Sequence, residues 1–267
     1  MYSLFYYYCF LCYATGNLLS YSLLTKSSPV VYQDRNGFIW IATEDGLNRY
    51  DGAKFTIYKH EPNNEHSLAH NFVRTVFEDS KGHLLIGTYI GIQMYDPATD
   101  NFTPLAKLED TGETLESNIN SFIERKNGEI WVSGNVLCKL DIKDHLLTVR
   151  KVDIAVTSPG SLFEDKKQNV WMAKGEEGVY QLTPDNQLTL HLSKDNGYVK
   201  SICEDQRGNI YVGSIRKGLF IYDKERKTFV PVDLKEKGEL PVCFLYSGIP
   251  NELYIGTDGK GVAIYNI

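Results

Sequence analysis

The sequence predicts an all-β fold, a β-propeller of four-stranded antiparallel blades, and three observations point there. A unit recurs at spacings of 45, 46, 40, 40 and 43 residues when Trp40, Leu85, Trp131, Trp171, Tyr211 and Tyr254 are aligned. All three tryptophans of the chain fall on that one register. Inside each copy, short runs rich in β-formers are separated by Asp, Gly and Asn turn signals, and repeats of about 40–45 residues with four strands each match propeller blades. A lone sheet of this size cannot bury both faces. Blades packed face to face would bury each anchor ring against its neighbour, and that structural role is the expected one for all six anchors.

The elements follow in order. Residues 1–17 form an apolar run, MYSLFYYYCFLCYATG and Asn17, read as a signal peptide or its remnant, or as an ordinary buried strand. Ala14 and Gly16 suit a cleavage site, but the first Lys is Lys26, so the basic start of a secretory signal is missing. LLSYSLLT (18–25) is a strand candidate. Within one copy, FVRTVFE (72–78) is an extended run, DSKG (79–82) a tight turn, LLIGT (84–88) a strand, YIG (89–91) a turn, IQMYD (92–96) a strand, and FTPL (102–105) a fourth strand. Asp at the first turn position accepts backbone N–H bonds, and Gly at the fourth tolerates a positive φ. The propeller is placed at 18–267, with blades at about 31–71, 72–118, 119–158, 159–198, 199–241 and a partial one at 242–267.

The spacing inside the repeat is consistent. Asp stands six before the anchor in four copies, as Asp34, Asp79, Asp165 and Asp205. Gly stands three before it as Gly37, Gly82, Gly128 and Gly208. Another Gly follows the anchor by six or seven as Gly46, Gly91, Gly178, Gly218 and Gly261. The third copy deviates, with Arg125 in place of Asp and Val136-Leu137 in place of the second Gly.

This pattern, Asp-x-x-Gly-x-x-Trp-Ile-Gly-Thr-x-x-Gly-Leu-x-x-Tyr-Asp, resembles two-component regulator propeller repeats. The stretch QDRNGFIWIATEDGLNRYDGAKFTIY (33–58) is similar throughout, departing mainly at Ala42. SLAHN (67–71) and TLESN (114–118) resemble the Leu-Ser-x-Asn ending of that family's linkers. The resemblance implies seven-bladed rings in the periplasmic sensor region of hybrid two-component sensor histidine kinases of glycan-degrading bacteria. Against that pattern this chain reads as an incomplete seven-bladed ring and a fragment of a longer receptor, with any kinase outside it. The partners implied are an oligosaccharide ligand and the remaining propeller and sensor domains of the parent receptor, in a homodimer.

Composition narrows the chemistry. A net charge of −6 with no basic run argues against nucleic acid as a partner. Cys138, Cys203 and Cys243 lie too far apart for a metal motif, and the Cys9-x-x-Cys12 pair sits inside an apolar run, so buried small hydrophobes are the reading. His60, His66 and His70 share one linker, where a solvated loop is the simpler account than a metal site. Each repeated Asp precedes a tight turn and offers one carboxylate, not a calcium cage. No catalytic constellation, cofactor or metal is expected.

Binding is the expectation, and meander topology says where. Loops between the second and third strands, and connections to the next blade, share one end of each sheet, while the Asp turns lie at the other. The first set varies most between copies: TEDG, TYIG, SGNV, KGEEG, SIRKG and TDGKG. Variable loops on a rigid scaffold are where recognition concentrates. The candidates are Glu44, Asp45, Tyr89, Asn135, Glu176, Glu177, Arg216, Lys217, Asp258 and Lys260 in those loops, with Asn71, Asn118 and Tyr198 from the connections. Amides and charges suit sugar hydroxyls and an aromatic suits a ring face; taken singly, each is also what a solvated loop carries. The expected function is a non-catalytic, periplasmic ligand-sensing module. A propeller polysaccharide hydrolase or lyase, and a protein–protein docking platform, are the alternatives.

Overall fold

The computed structural model describes residues 30–192, 197–234 and 240–267. The readings made for residues 1–17 and 18–25 lie outside them. Every regular element among the described residues is a strand. Two compact units divide at Asp153/Ile154, and each is described by itself.

The first unit holds three sheets. The first is Val30–Gln33, Ile39–Thr43, Gly46–Tyr50 and Phe55–Tyr58. The second is Val73–Glu78, Leu84–Thr88, Ile92–Asp96 and Asn101–Phe102. The third is Ser121–Glu124, Ile130–Ser133, Leu137–Lys143 and Leu146–Lys151. The second unit holds Leu162–Glu164, Val170–Lys174, Gly178–Leu182 and Leu188–Leu192 as the fourth sheet. Val199–Glu204, Ile210–Ser214, Gly218–Asp223 and Thr228–Pro231 make the fifth. Val242–Tyr246, Glu252–Thr257 and Val262–Asn266 make the sixth. Consecutive strands pair antiparallel in chain order. The predicted blade meander is therefore observed.

Two details depart from expectation. The run FTPL does not continue as a regular strand: the ladder is confined to Asn101–Phe102, and past it only the Thr103 and Ala106 N–H groups still reach the carbonyls of Met94 and Ile92, Pro104 having no N–H to give. The following linker is not free either. Its Lys107–Leu108 pairs parallel with Thr148 and Val149, so the third sheet has a fifth strand.

The anchors bury as predicted for five of the six. Trp40, Leu85, Trp131, Trp171 and Tyr211 are at most 3% exposed. Trp40 sits in the cluster joining the first two sheets with Val73, Val76 and Phe102, its indole edge-on to Tyr95 of the second sheet at 4.8 Å. Trp171 does the same between the fourth and fifth sheets, against Tyr222 at 5.2 Å and Phe229 at 5.8 Å. Tyr254 keeps the register but is only half-buried, its hydroxyl donating to Glu252 at 2.8 Å.

The recurring Asp explains why the anchors hold one orientation. Asp34 Oδ1 accepts the N–H of Asn36 and Phe38, closing the turn, while Oδ2 accepts the Trp40 indole N–H at 2.8 Å. Asp165 repeats this with Lys167, Asn169 and Trp171. Asp79 faces Leu85, which cannot donate, and takes His83 Nδ1 at 2.7 Å instead. Residue 128, with Arg125 where the Asp stands elsewhere, still turns through a positive φ of 83°, and Gln168 and Asn251 adopt φ of 66° and 61° at the same place without being glycine. Neighbouring turns are also stapled to the next sheet. The backbone N–H groups of Arg35, Ser80 and Lys166 donate to Glu78, Glu124 and Glu204.

Candidate ligand-binding face

At the loop end of the first unit, connections lace the loops together. Asn71 accepts the Gly46 N–H on its carbonyl and the His60 N–H on its side chain, at 2.7 and 2.8 Å. Glu44 and Asp45, exposed beside it, tip the neighbouring loop, and Asp45 pairs with Lys59 at 2.8 Å. One residue on, the Phe72 carbonyl accepts the Tyr89 N–H at 3.0 Å. The Tyr89 ring lies parallel to Phe72 at 6.1 Å and beside His70 at 5.6 Å, yet is 52% exposed. Asn118 and Asn135 belong to the next connection and loop, joined by the Asn135 N–H to Ser117 Oγ at 2.9 Å. Asn118 Oδ1 is buried with no hydrogen-bond partner. The first-unit candidates thus form one continuous row.

In the second unit, Glu176 and Arg216 form an ion pair at 3.0 Å, bringing adjacent loops together. Glu177 instead pairs back onto Lys174 at 2.7 Å. Tyr198 rests on Gly175, where a Cβ would meet ring carbon Cε2 at 2.9 Å, and φ at Gly175 is +46°. A side chain at residue 175 would displace the ring from there. Tyr198 is 43% exposed, and its carbonyl accepts the Ile215 N–H at 2.9 Å, fixing it beside Arg216 and Lys217. Asp258 and Lys260 occupy the loop of the sixth sheet, where Asp258 N–H donates to Pro241.

Phe72 and Gly175 were not singled out from sequence, and His70 was weighed there only as a metal ligand. Their signal is positional: an aromatic or glycine immediately flanking a strand opposite a loop tyrosine. The loop end of each unit offers rings, carboxylates and cations, and no group of His, Cys, Asp and Glu among the described residues is arranged to hold a metal ion. Burial pushes the thiols of Cys138 and Cys203 up to about 11 and about 12, so neither is a ready nucleophile.

Three stretches, residues 22–45, 67–89 and 193–216, match the family model described as two component regulator propeller. Those stretches are similar to two component regulator propeller repeats. A histidine kinase, P4, from Formosa agariphila is 40% identical over 47 residues, 17% of this chain and 3% of that protein. Among solved structures, the extracellular domain of a hybrid two component system from B. thetaiotaomicron superposes with a TM-score of 0.68 at 20% identity, covering 91% of this chain and 34% of that one. Virginiamycin B lyase from Staphylococcus aureus superposes with a TM-score of 0.63 at 13% identity, covering 90% of this chain and 84% of its own. The chain therefore spans about a third of the sensor structure, and the solved structures share its fold. No helix among the described residues is long and apolar enough to cross a membrane.

Proposed function

We propose that these propeller repeats form a non-catalytic, ligand-sensing module of a periplasmic two-component sensor, and that the ligand is a glycan-derived oligosaccharide. The observation that carries this is the pair of exposed, backed tyrosines. The Tyr89 ring lies parallel to Phe72 and the Tyr198 ring packs on Gly175, with Asn71 next in sequence to Phe72 and the Glu176–Arg216 ion pair in the loops beside Tyr198. A ring held flat with one face in solvent suits the apolar face of a pyranose, and the flanking groups suit its hydroxyls. The likeness to sensor extracellular domains supports the setting. The rest of the parent receptor, its other propeller and sensor domains in a homodimer, would carry the signal by shifting between arrangements that bind the ligand unequally.

The test is calorimetric titration of the purified chain with a panel of defined neutral and uronate-containing oligosaccharides, with product analysis of each mixture. Binding heat without new reducing ends or unsaturated sugars supports the reading. Turnover would replace it with a hydrolase or lyase. Capture of a protein partner, with no heat from any sugar, would replace it with a docking platform.

A further inference from the structure

A cleft lined by neither loop tyrosine opens in the first unit, where the regular fourth strand of the second sheet stops after Phe102. Its volume is about 930 Å³, at the upper end for ligand sites. Ile90, Pro104, Leu105 and Leu147, buried or half-buried, form an aliphatic floor. The connection 60–69 makes one rim; Lys107, Thr114 and the hairpin residues 145–148 make the other.

The cleft is preformed. Gln93, 1% exposed, donates to the carbonyls of Ser67 and Thr103 at 3.0 and 2.8 Å and accepts the Ala69 N–H at 2.6 Å. One buried amide therefore ties the first rim to the floor. Ser67 Oγ in turn accepts the Glu61 N–H at 3.0 Å, which sets the height of that rim.

Its chemistry differs from the loop face. No Phe, Tyr or Trp lines it, and the rings it has are the imidazoles of His60 and His145 on its rims. The rims are polar and of opposite charge, with Glu61 and Glu65 on one and Lys107 on the other. Leu146, also part of the lining, is 67% exposed. An aliphatic floor between charged, amide- and hydroxyl-bearing rims matches an extended polypeptide better than an acyl chain, which has nothing to offer the rims. We propose that this cleft binds an extended segment of a partner protein whose alternate residues are aliphatic and whose basic flank lies beside Glu61 and Glu65. Charge complementarity sets its direction, and the floor takes its side chains.

The test is selection of a phage-displayed library of random linear peptides on the full chain. A labelled synthetic copy of the selected sequence is then measured by fluorescence anisotropy. The expected result is enrichment of peptides with alternating Leu, Val or Ile and Lys or Arg at one end. Binding should fall at least tenfold in Leu146→Asp and in Glu61→Lys, and stay unchanged in Tyr89→Ala. Both cleft positions are exposed, and thermal melts matching the parent chain confirm folding. Absence of enrichment, equal binding to Leu146→Asp, or loss in Tyr89→Ala would overturn the proposal. The last outcome would assign the peptide to the loop face and leave the cleft without a role.

Discussion

In the fourth sheet, Asp165 at the turn end commits both carboxylate oxygens to its own sheet, taking two backbone N–H groups, the Asn169 amide and the Trp171 indole. At the loop end of the same region, Tyr198 turns a ring face to solvent over Gly175. One end is satisfied internally and repeats from copy to copy. The other leaves rings and charges unspecified by the scaffold, and it differs in every copy. The difference separates what holds the blade from what the blade presents. Substitutions at the turn end should move stability and leave binding alone, and those at the loop end the reverse.

The third sheet sharpens this. It has Arg125 where the Asp would be, yet its Trp131 indole still finds a carboxylate. Glu129 accepts it at 3.0 Å, with Lys139 donating to the other oxygen at 2.6 Å. Arg125 lies over the Trp131 ring at 4.6 Å. The indole acceptor is thus the fixed requirement, and which residue supplies it is negotiable. Glu252 and the Tyr254 hydroxyl make the same substitution in the sixth sheet.

The largest effect is expected at Asp165. Asp165→Ala leaves several buried donors without an acceptor and should cost about 3 kcal/mol in denaturant unfolding of the second unit, with oligosaccharide affinity at Tyr89 unchanged. Loss of affinity there would break the separation.

A smaller effect is expected at Glu129, as a pH dependence. The Lys139 hydrogen bond, together with those from Trp131 and Asn127, outweighs desolvation and holds its carboxyl down at about 2, from an ordinary 4.5. A depressed value contributes stability that is complete above the unfolded pKa and lost as pH falls through the folded one. The first unit should therefore lose about 2 kcal/mol between pH 4.5 and 2, after discounting for a side chain one-third exposed. Glu129→Gln should flatten that part of the profile in urea melts.

At the loop end, Tyr198→Ala and Tyr89→Ala should each weaken oligosaccharide binding about tenfold, or about 1.4 kcal/mol, and shift unfolding by less than about 0.5 kcal/mol. A large loss of stability would mean these rings belong to the scaffold. The smallest effect is expected for Arg35→Ala. It removes an ion pair to Glu78 at 2.6 Å in which Arg35 is 47% exposed, and should cost about 0.5 kcal/mol by thermal melt.

Much of the scaffold was legible because it is written in repeated positions. The anchor register, the Asp turns and the strand order all recur, and repetition is visible without coordinates. A Glu precedes the turn in four of the six copies, and three of these, Glu78, Glu124 and Glu204, hold a neighbouring turn. Their role was not legible, because they act on the neighbouring sheet and nothing local announces that contact. The fourth strand expected at 102–105 is shorter, at Asn101–Phe102, and the added Lys107–Leu108 strand was missed for a related reason: a tertiary edge recruited a polar linker. At the loop end, the candidates lie in loops and connections, as the strand order read from sequence implied. It could not show that Asn71 is occupied in tying loops together, that Glu177 turns back onto Lys174, or that Gly175 makes the seat for Tyr198.

Hydrogen–deuterium exchange of the chain, with and without an oligosaccharide that gives binding heat, tests the division between the two ends most directly. The expected result is slowed exchange in peptides covering residues 88–91 and 197–199, with the turns at 34–37 and 165–168 unchanged. Slowed exchange at those turns with none at the tyrosine loops would contradict it.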